Sequence, residues 1–193
     1  MQQLLIATNN QGKLKEFRDH LREFYLLGLC NFDKEIEEPI ENGVSFAENS
    51  LIKAKYYAHA TSCLTIADDS GLCVNALDGR PGIFSSRYAN GDYKQAFQKL
   101  NKELEGKEDR SAYFQVVLTL YNPQNDIYKQ FNGRCDGKIL YQSCGTGGLG
   151  YDPLFSPHGL DMSFGECSLE EKNKYDHRKK ATDKLVKYLG EIM

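Results

Sequence analysis

The chain has 193 residues, 40% of them apolar, and a formal net charge of −3. That length fits one domain, or one domain of two lobes, with a sizeable core. The charge excludes broad binding to a nucleic-acid backbone, which needs a basic footprint; a few local lysines still suffice for one triphosphate.

Six cysteines occur, at 30, 63, 73, 135, 144 and 167, with no C-x-x-C pair and no accompanying histidine-ligand pattern. Reduced thiols are expected rather than a zinc site or a disulfide framework. The opening residues lack a basic segment followed by a long apolar one, so they are expected to begin a strand rather than a signal peptide. No apolar run reaches the ~18 residues of a membrane span. A soluble, cytoplasmic protein without membrane contact is therefore expected.

In chain order, the apolar run 4–7 predicts a buried strand. The polar stretch 8–13 predicts a turn, and Leu14, Phe17, Leu21 and Phe24 then fall on a helical stripe. Strand, loop, helix is the opening of an α/β fold. Residues 25–32 predict a second strand, followed by an acidic, turn-rich stretch. Ser45 and Glu48 form a capping-box pattern before a helix with Ala47, Leu51, Ala54 and Ala58 on one face. Lys53 lies off that stripe, beside Asn49. Residues 64–67 predict a buried strand ending at Asp68-Asp69-Ser70-Gly71. Ala96, Phe97, Leu100 and Leu104 predict a further helix. Residues 113–121 and 127–134 predict two antiparallel strands around the turn 122–126, so the sheet is expected to be mixed. Ser168 and Glu171 predict another capping box. A break near Tyr175 should separate a short helix from a longer one capped by Asp176, with Ala181, Leu185, Tyr188 and Ile192 in register.

Several groups of residues could carry chemistry. Thr8, Asn9, Asn10, Gln11, Gly12 and Lys13 lie between a strand and a helix. Helix N-terminal N–H groups attract phosphate, and Lys13 adds a full charge. The same residues would also make a plain turn, and Leu14 follows Lys13 where a Walker A motif has Ser or Thr. Asp68 and Asp69, placed at a strand's carboxyl end, could bind Mg²⁺ through oxygen, and one could accept a proton from water. An Asx turn before Gly71 is the competing explanation. Glu41 is a possible third carboxylate, with Glu38 competing for its place. Residues 145–150 match G-x-G-x-x-G, but Tyr151-Asp152-Pro153 follows instead of a helix, which rejects a dinucleotide fold. These glycines either let the backbone approach a ligand closely or simply form a turn. Lys172, His177 and Arg178 form the last cluster. Two basic residues in a helix's first turn oppose its dipole, which makes more sense beside an anion or an oxygen-rich base. A basic surface patch with Lys179, Lys180 and Lys184 would look the same.

As an ordered set, these motifs resemble the inosine/xanthosine triphosphate pyrophosphatase family. The matching stretches are 7–13 (ATNNQGK), 45–54 (SFAENSLIKA), 66–72 (IADDSGL), 81–88 (PGIFSSRY), 145–153 (GTGGLGYDP), 168–174 (SLEEKNK) and His177-Arg178. The resemblance implies one two-lobed α/β domain over residues 1–193. A long mixed β-sheet would be flanked by helices, with the active-site cleft between the lobes, and the molecule would be a homodimer. It implies hydrolysis of ITP, dITP and XTP to the monophosphate and pyrophosphate with Mg²⁺. By the same resemblance, Thr8, Asn9, Asn10, Gln11, Gly12, Lys13 and Lys53 hold the triphosphate. Asp69 accepts the proton and, with Asp68 or Glu41, positions the metal. Ser70 contacts substrate, while Leu149, Gly150, Tyr151, Asp152, Lys172, His177 and Arg178 surround base and sugar. Two positions depart from the family pattern. Leu149 stands where Phe is usual, and a leucine packs against a base without stacking on it. Asp176 stands where Ser is usual, which keeps a helix cap but adds a charge. The competing functions are a Maf-type pyrophosphatase for other modified nucleotides, a nucleotide sensor without turnover, and a plain structural protein.

Overall fold

A computed structural model describes residues 3–32 and 36–192, the side chain of Ile192 excepted. The elements in chain order are β1 (Gln3–Ile6), α1 (Gln11–His20), β2 (Tyr25–Gly28), α2 (Phe46–Thr61), β3 (Leu64–Val74) and α3 (Tyr93–Glu103). They continue with β4 (Ser111–Asn122), β5 (Ile127–Ile139), β6 (Phe155–Pro157), α4 (Leu169–Asn173) and α5 (His177–Ile192). Six strands form one sheet in the order β2-β1-β3-β4-β5-β6. β1 runs parallel to β2 and to β3, whereas β5 and β6 are antiparallel, so the sheet is mixed as expected. β4 and β5 are neighbours joined only by residues 123–126, too short for a parallel crossover.

Several boundaries differ from the sequence reading, each for a tertiary or capping reason. α1 begins inside the expected turn, because Asn10 caps it through Gly12 and Lys13. It stops before Leu21, whose N–H bonds Phe17 O, so Phe24 packs on the core from outside the helix. The second strand ends at Gly28, and Leu29–Asn31 coils into a 3₁₀ turn where Asn31 Oδ1 accepts the Gly28 N–H. β3 does not end at the aspartates: it runs on to Val74, nearly all of it buried. Its pairing with β1 stops at Ile66, and Asp68 and Asp69 follow just past the end of that parallel neighbour. On α2 the buried side is Phe46, Asn49, Ser50, Ala54, Tyr57 and Ala58, rotated from the expected stripe. Polar Ser50 is tolerated there because its hydroxyl bonds Thr119 Oγ1 at 2.7 Å. On α5 the buried positions are Ala181, Leu185 and Leu189, with Tyr188 at the margin; the expected Ile192 side chain lies outside the described residues.

The chain divides into two compact units. One comprises Met1–Asp69, Val116–Asn132 and Lys180–Met193, the other Ser70–Gln115 and Gly133–Lys179. The first has two apolar clusters. Leu4, Ile6, Phe17, Leu118 and Leu185 centre one, and Leu5, Ala54, Tyr57 and Ala67 the other. The second unit packs Leu72, Leu100, Phe114, Leu154, Phe155 and Phe164. Among the described residues, no helix is long and apolar enough to cross a membrane.

Candidate active site

In the first unit, three carboxylates and two lysines interlock. Lys13 Nζ lies 2.8 Å from Asp68 Oδ2. Lys53 Nζ lies 3.1 Å from Glu41 Oε2 and 3.7 Å from Asp69 Oδ1. α2 aims Lys53 at Asp69 together with Asn49, one helical turn earlier, whose Nδ2 donates to Asp69 Oδ2 at 3.1 Å. Asn49 is only 1% exposed, and its Oδ1 accepts the Gly43 N–H at 2.9 Å, so the amide is satisfied at both ends. Gly43 fits because a Cβ there would stand 2.7 Å from Asn49 Oδ1. The helix start beside it is half the expected capping box: Ser45 Oγ accepts from Glu48 N–H, but Glu48 reaches back to Val44 N–H instead.

The electrostatics of Asp69 follow from this packing. Burial pushes its carboxyl up to about 6. Lys53 and Asn49 pull it down, while the like charges of Glu41 and Asp68 push it further up. For Lys53, burial alone would lower the ammonium, but Asp68, Asp69 and Glu41 outweigh it and raise it. Asp69 is thus a desolvated carboxylate that holds a proton more readily than an ordinary one.

The loop before α1 is ordered by its own side chains. Asn10 Oδ1 accepts Gly12 and Lys13 N–H at 2.9 and 3.1 Å, and Thr8 Oγ1 accepts Asn10 N–H at 3.1 Å. Asn9 Nδ2 donates to Glu38 Oε1 at 2.8 Å. The helix-terminus N–H groups first credited with phosphate affinity are therefore partly occupied by Asn10, and the cationic Lys13 side chain carries more of that reading. Glu38 anchors Asn9, which leaves Glu41 as the carboxylate beside Lys53.

In the second unit, Asp152, Lys172, Asp176, His177 and Arg178 are all at most 4% exposed. Lys172 Nζ lies 2.8 Å from Asp152 Oδ2 and 3.3 Å from Asp176 Oδ2. Asp152 Oδ2 also accepts Leu149 N–H at 2.6 Å, tying the glycine-rich loop to α4. Burial raises the Asp152 carboxyl against the pull of Lys172. Burial would raise Asp176 too, but His177, Lys172 and Arg178 together hold it well below the usual carboxylate range. The break between α4 and α5 is where expected. Asp176 Oδ1 caps α5 by accepting Arg178 and Lys179 N–H at 2.5 and 3.3 Å. The His177 ring stacks on Phe114, with centroids 5.0 Å apart. Arg178 Nη2 donates to Ser70 Oγ at 3.3 Å, joining two residues 108 apart in the chain.

The glycine-rich loop packs closely on the protein itself. Gly148 has φ +78°, and a Cβ there would stand 2.2 Å from Asp152 Oδ2. At Gly145 a Cβ would stand 2.2 Å from Gly165 O. These two glycines serve internal packing, not ligand approach. Tyr151 belongs to the core: its hydroxyl donates to Ser85 O at 3.0 Å and its ring meets Tyr93 edge-on. Leu149 and Gly150 are partly exposed.

Two residues went unassigned in the sequence reading. Asn49 was noted only as the neighbour of Lys53, although a polar residue one turn before a lysine and facing the same way was the available signal. Asp176 was read as a cap, and nothing local announces its contact with Lys172.

The family model described as the Ham1 family matches residues 4–188. This chain belongs to the Ham1 family. Among similar Ham1 proteins, the dITP/XTP pyrophosphatase of Prochlorococcus marinus is 43% identical over 190 residues, spanning 98% of this chain and 94% of its own. That of Desulfotalea psychrophila is 45% identical over 182 residues, 92% of this chain and 81% of its own. The solved structure of the Staphylococcus aureus Ham1 protein superposes with a TM-score of 0.90 at 34% identity, covering 100% of both chains.

Proposed function

We propose that this chain hydrolyses ITP, dITP and XTP to the monophosphate and pyrophosphate, clearing these purines from the nucleotide pool. The observation that carries the reading is Asp69: a buried carboxylate raised to about 6, gripped by Asn49 and facing Lys53. A general base with that affinity is ionised at neutral pH and still takes a proton from water. Membership of a family whose similar relatives are dITP/XTP pyrophosphatases supports the substrate class.

Lys13 and Lys53 now face carboxylates. In this mechanism they exchange that partner for the phosphates of the substrate, offsetting charge as water attacks the α-phosphorus. Glu41, Asp68 and Asp69 then need another counter-charge, and hard carboxylate oxygens suit Mg²⁺. No three His, Cys, Asp or Glu side chains among the described residues form a ready-made metal cage. That fits an ion held by one or two carboxylates and the substrate's own phosphates. When bound, Mg²⁺ would neutralise phosphate charge. Asp69 takes or orients the proton of the attacking water, with Asn49 fixing its second oxygen. Thr8, Asn9, Asn10, Gln11 and Gly12 shape the phosphate loop.

The second unit supplies the base and sugar contacts through Ser70, Lys172, His177, Arg178 and the loop Leu149, Gly150, Tyr151 and Asp152. Tyr151 and Asp152 act there chiefly by holding the loop. Donors that pair with a 6-oxopurine leave an adenine amino group unmatched. In this reading residues 1–193 work as one two-lobed domain with the expected cleft, and the molecule is a cytoplasmic homodimer. The test is a panel of dITP, ITP, XTP, dATP, dGTP and dTTP with Mg²⁺ at mildly alkaline pH, counting pyrophosphate and orthophosphate separately. Pyrophosphate should be released from the 6-oxopurines far faster than from the standard nucleotides. Asp69→Asn should lose that activity. Orthophosphate as the product, or equal rates on all bases, would sink the proposal.

A further inference from the structure

Asp176 takes no direct part in the mechanism above, yet its carboxylate sits at the centre of the second unit's charged cluster. Its Oδ1 caps α5 and lies 3.3 Å from His177 Nδ1, and its Oδ2 lies 3.3 Å from Lys172 Nζ. Capping explains the first oxygen, and Ser or Asn would cap as well. It does not explain the second. Burying a carboxylate is costly without a charged partner, and here that partner is an ammonium already held by Asp152 at 2.8 Å. Lys172 and Arg178 are thereby balanced by Asp152 and Asp176, and with His177 neutral the cluster carries no net charge. Without Asp176 it would carry one positive charge.

We infer that Asp176 is a specificity-determining positioning residue: by sharing Lys172 with Asp152 it suits the cluster to an uncharged 6-oxopurine over an anionic one. The inference rests on the reading that Lys172, His177 and Arg178 meet the base. Hypoxanthine is neutral at mildly alkaline pH. Xanthine has a second carbonyl that stabilises its conjugate base, and it is largely anionic there. A buried uncompensated charge interacts strongly with such a ligand, and a balanced cluster does not.

The experiment measures kcat and KM for dITP and XTP in the unaltered protein, Asp176→Asn and Asp176→Ser. Both substitutions keep the helix cap and remove the charge. The XTP-to-dITP ratio of kcat/KM should rise about threefold or more in both variants, mainly through KM for XTP. The gain should fade in mildly acidic buffer, where xanthine regains its proton; a purely structural role for Asp176 would not produce that dependence. An unchanged ratio in both variants, with the unaltered protein turning over both substrates, would overturn this inference alone. Absence of turnover by the unaltered protein would overturn the proposed function and this inference with it.

Discussion

Replacing the proposed base should make the protein more stable. Asp69 has a carboxyl raised from 3.8 to about 6, chiefly by burial. That displacement corresponds to about 3 kcal/mol at about 1.4 kcal/mol per tenfold change. The sign follows from proton linkage. Between about pH 4 and 6 the folded chain holds a proton that the unfolded chain has released, so stability falls as pH rises across that window. Above about pH 6 the full cost of a buried, ionised Asp69 is present; below about pH 4 it is absent. Asp69→Asn removes the cost, keeps an oxygen for Asn49 Nδ2, and leaves Lys53 with Glu41. An amide in a buried place recovers only part of the total, so a gain of about 1–3 kcal/mol is expected at pH 8. In a chain of this size that raises Tm by about 2–10 °C. The assay is thermal unfolding of both proteins with EDTA present, across the pH range. A lower Tm for the variant at pH 8, or a gain that persists undiminished at about pH 4, would refute the argument that Asp69 is ionised against its environment.

Three further outcomes are expected. Because Lys53 pulls Asp69 down, Lys53→Met should move the acid limb of kcat/KM for dITP, expected near pH 6, to higher pH; a limb that stays put would separate Asp69 from the profile. Lys172→Met leaves Asp152 and Asp176 buried without their shared ammonium and should cost about 3–5 kcal/mol in urea unfolding, a loss below 1 kcal/mol arguing that the pair is solvated. Gly148→Ala must accommodate both φ +78° and a Cβ aimed at Asp152, so it should cost more than about 1 kcal/mol and raise KM with little change in kcat. Unaltered stability there would show that the loop backbone relaxes freely.

Local chemistry carried the sequence reading a long way. The caps at Ser168 and Asp176 and the break between α4 and α5 were legible because they depend on neighbouring side chains. The mixed sheet was legible from one short connection and the alternation of apolar runs. The extent of β3 was not. Asp-Asp-Ser-Gly has the composition of a turn, and only pairing beyond β1 keeps it extended. The same limit applied to the charges. Lys13 with Asp68, and Lys172 with Asp152, are contacts across 55 and 20 residues, and no periodicity announces them. The resemblance named most of the right side chains, but not which carboxylate each ammonium holds. Nor did it show that the glycine-rich loop is packed against its own aspartate.

The sheet's strand lengths bear on how this protein avoids its own kind during folding. The central strands β3, β4 and β5 run for 11, 12 and 13 residues, whereas the outer strands β2 and β6 have 4 and 3. Long apolar strands are the ones that would template aggregation, and here each has a neighbour on both sides. The open backbone offered at either border is too brief to recruit a foreign strand.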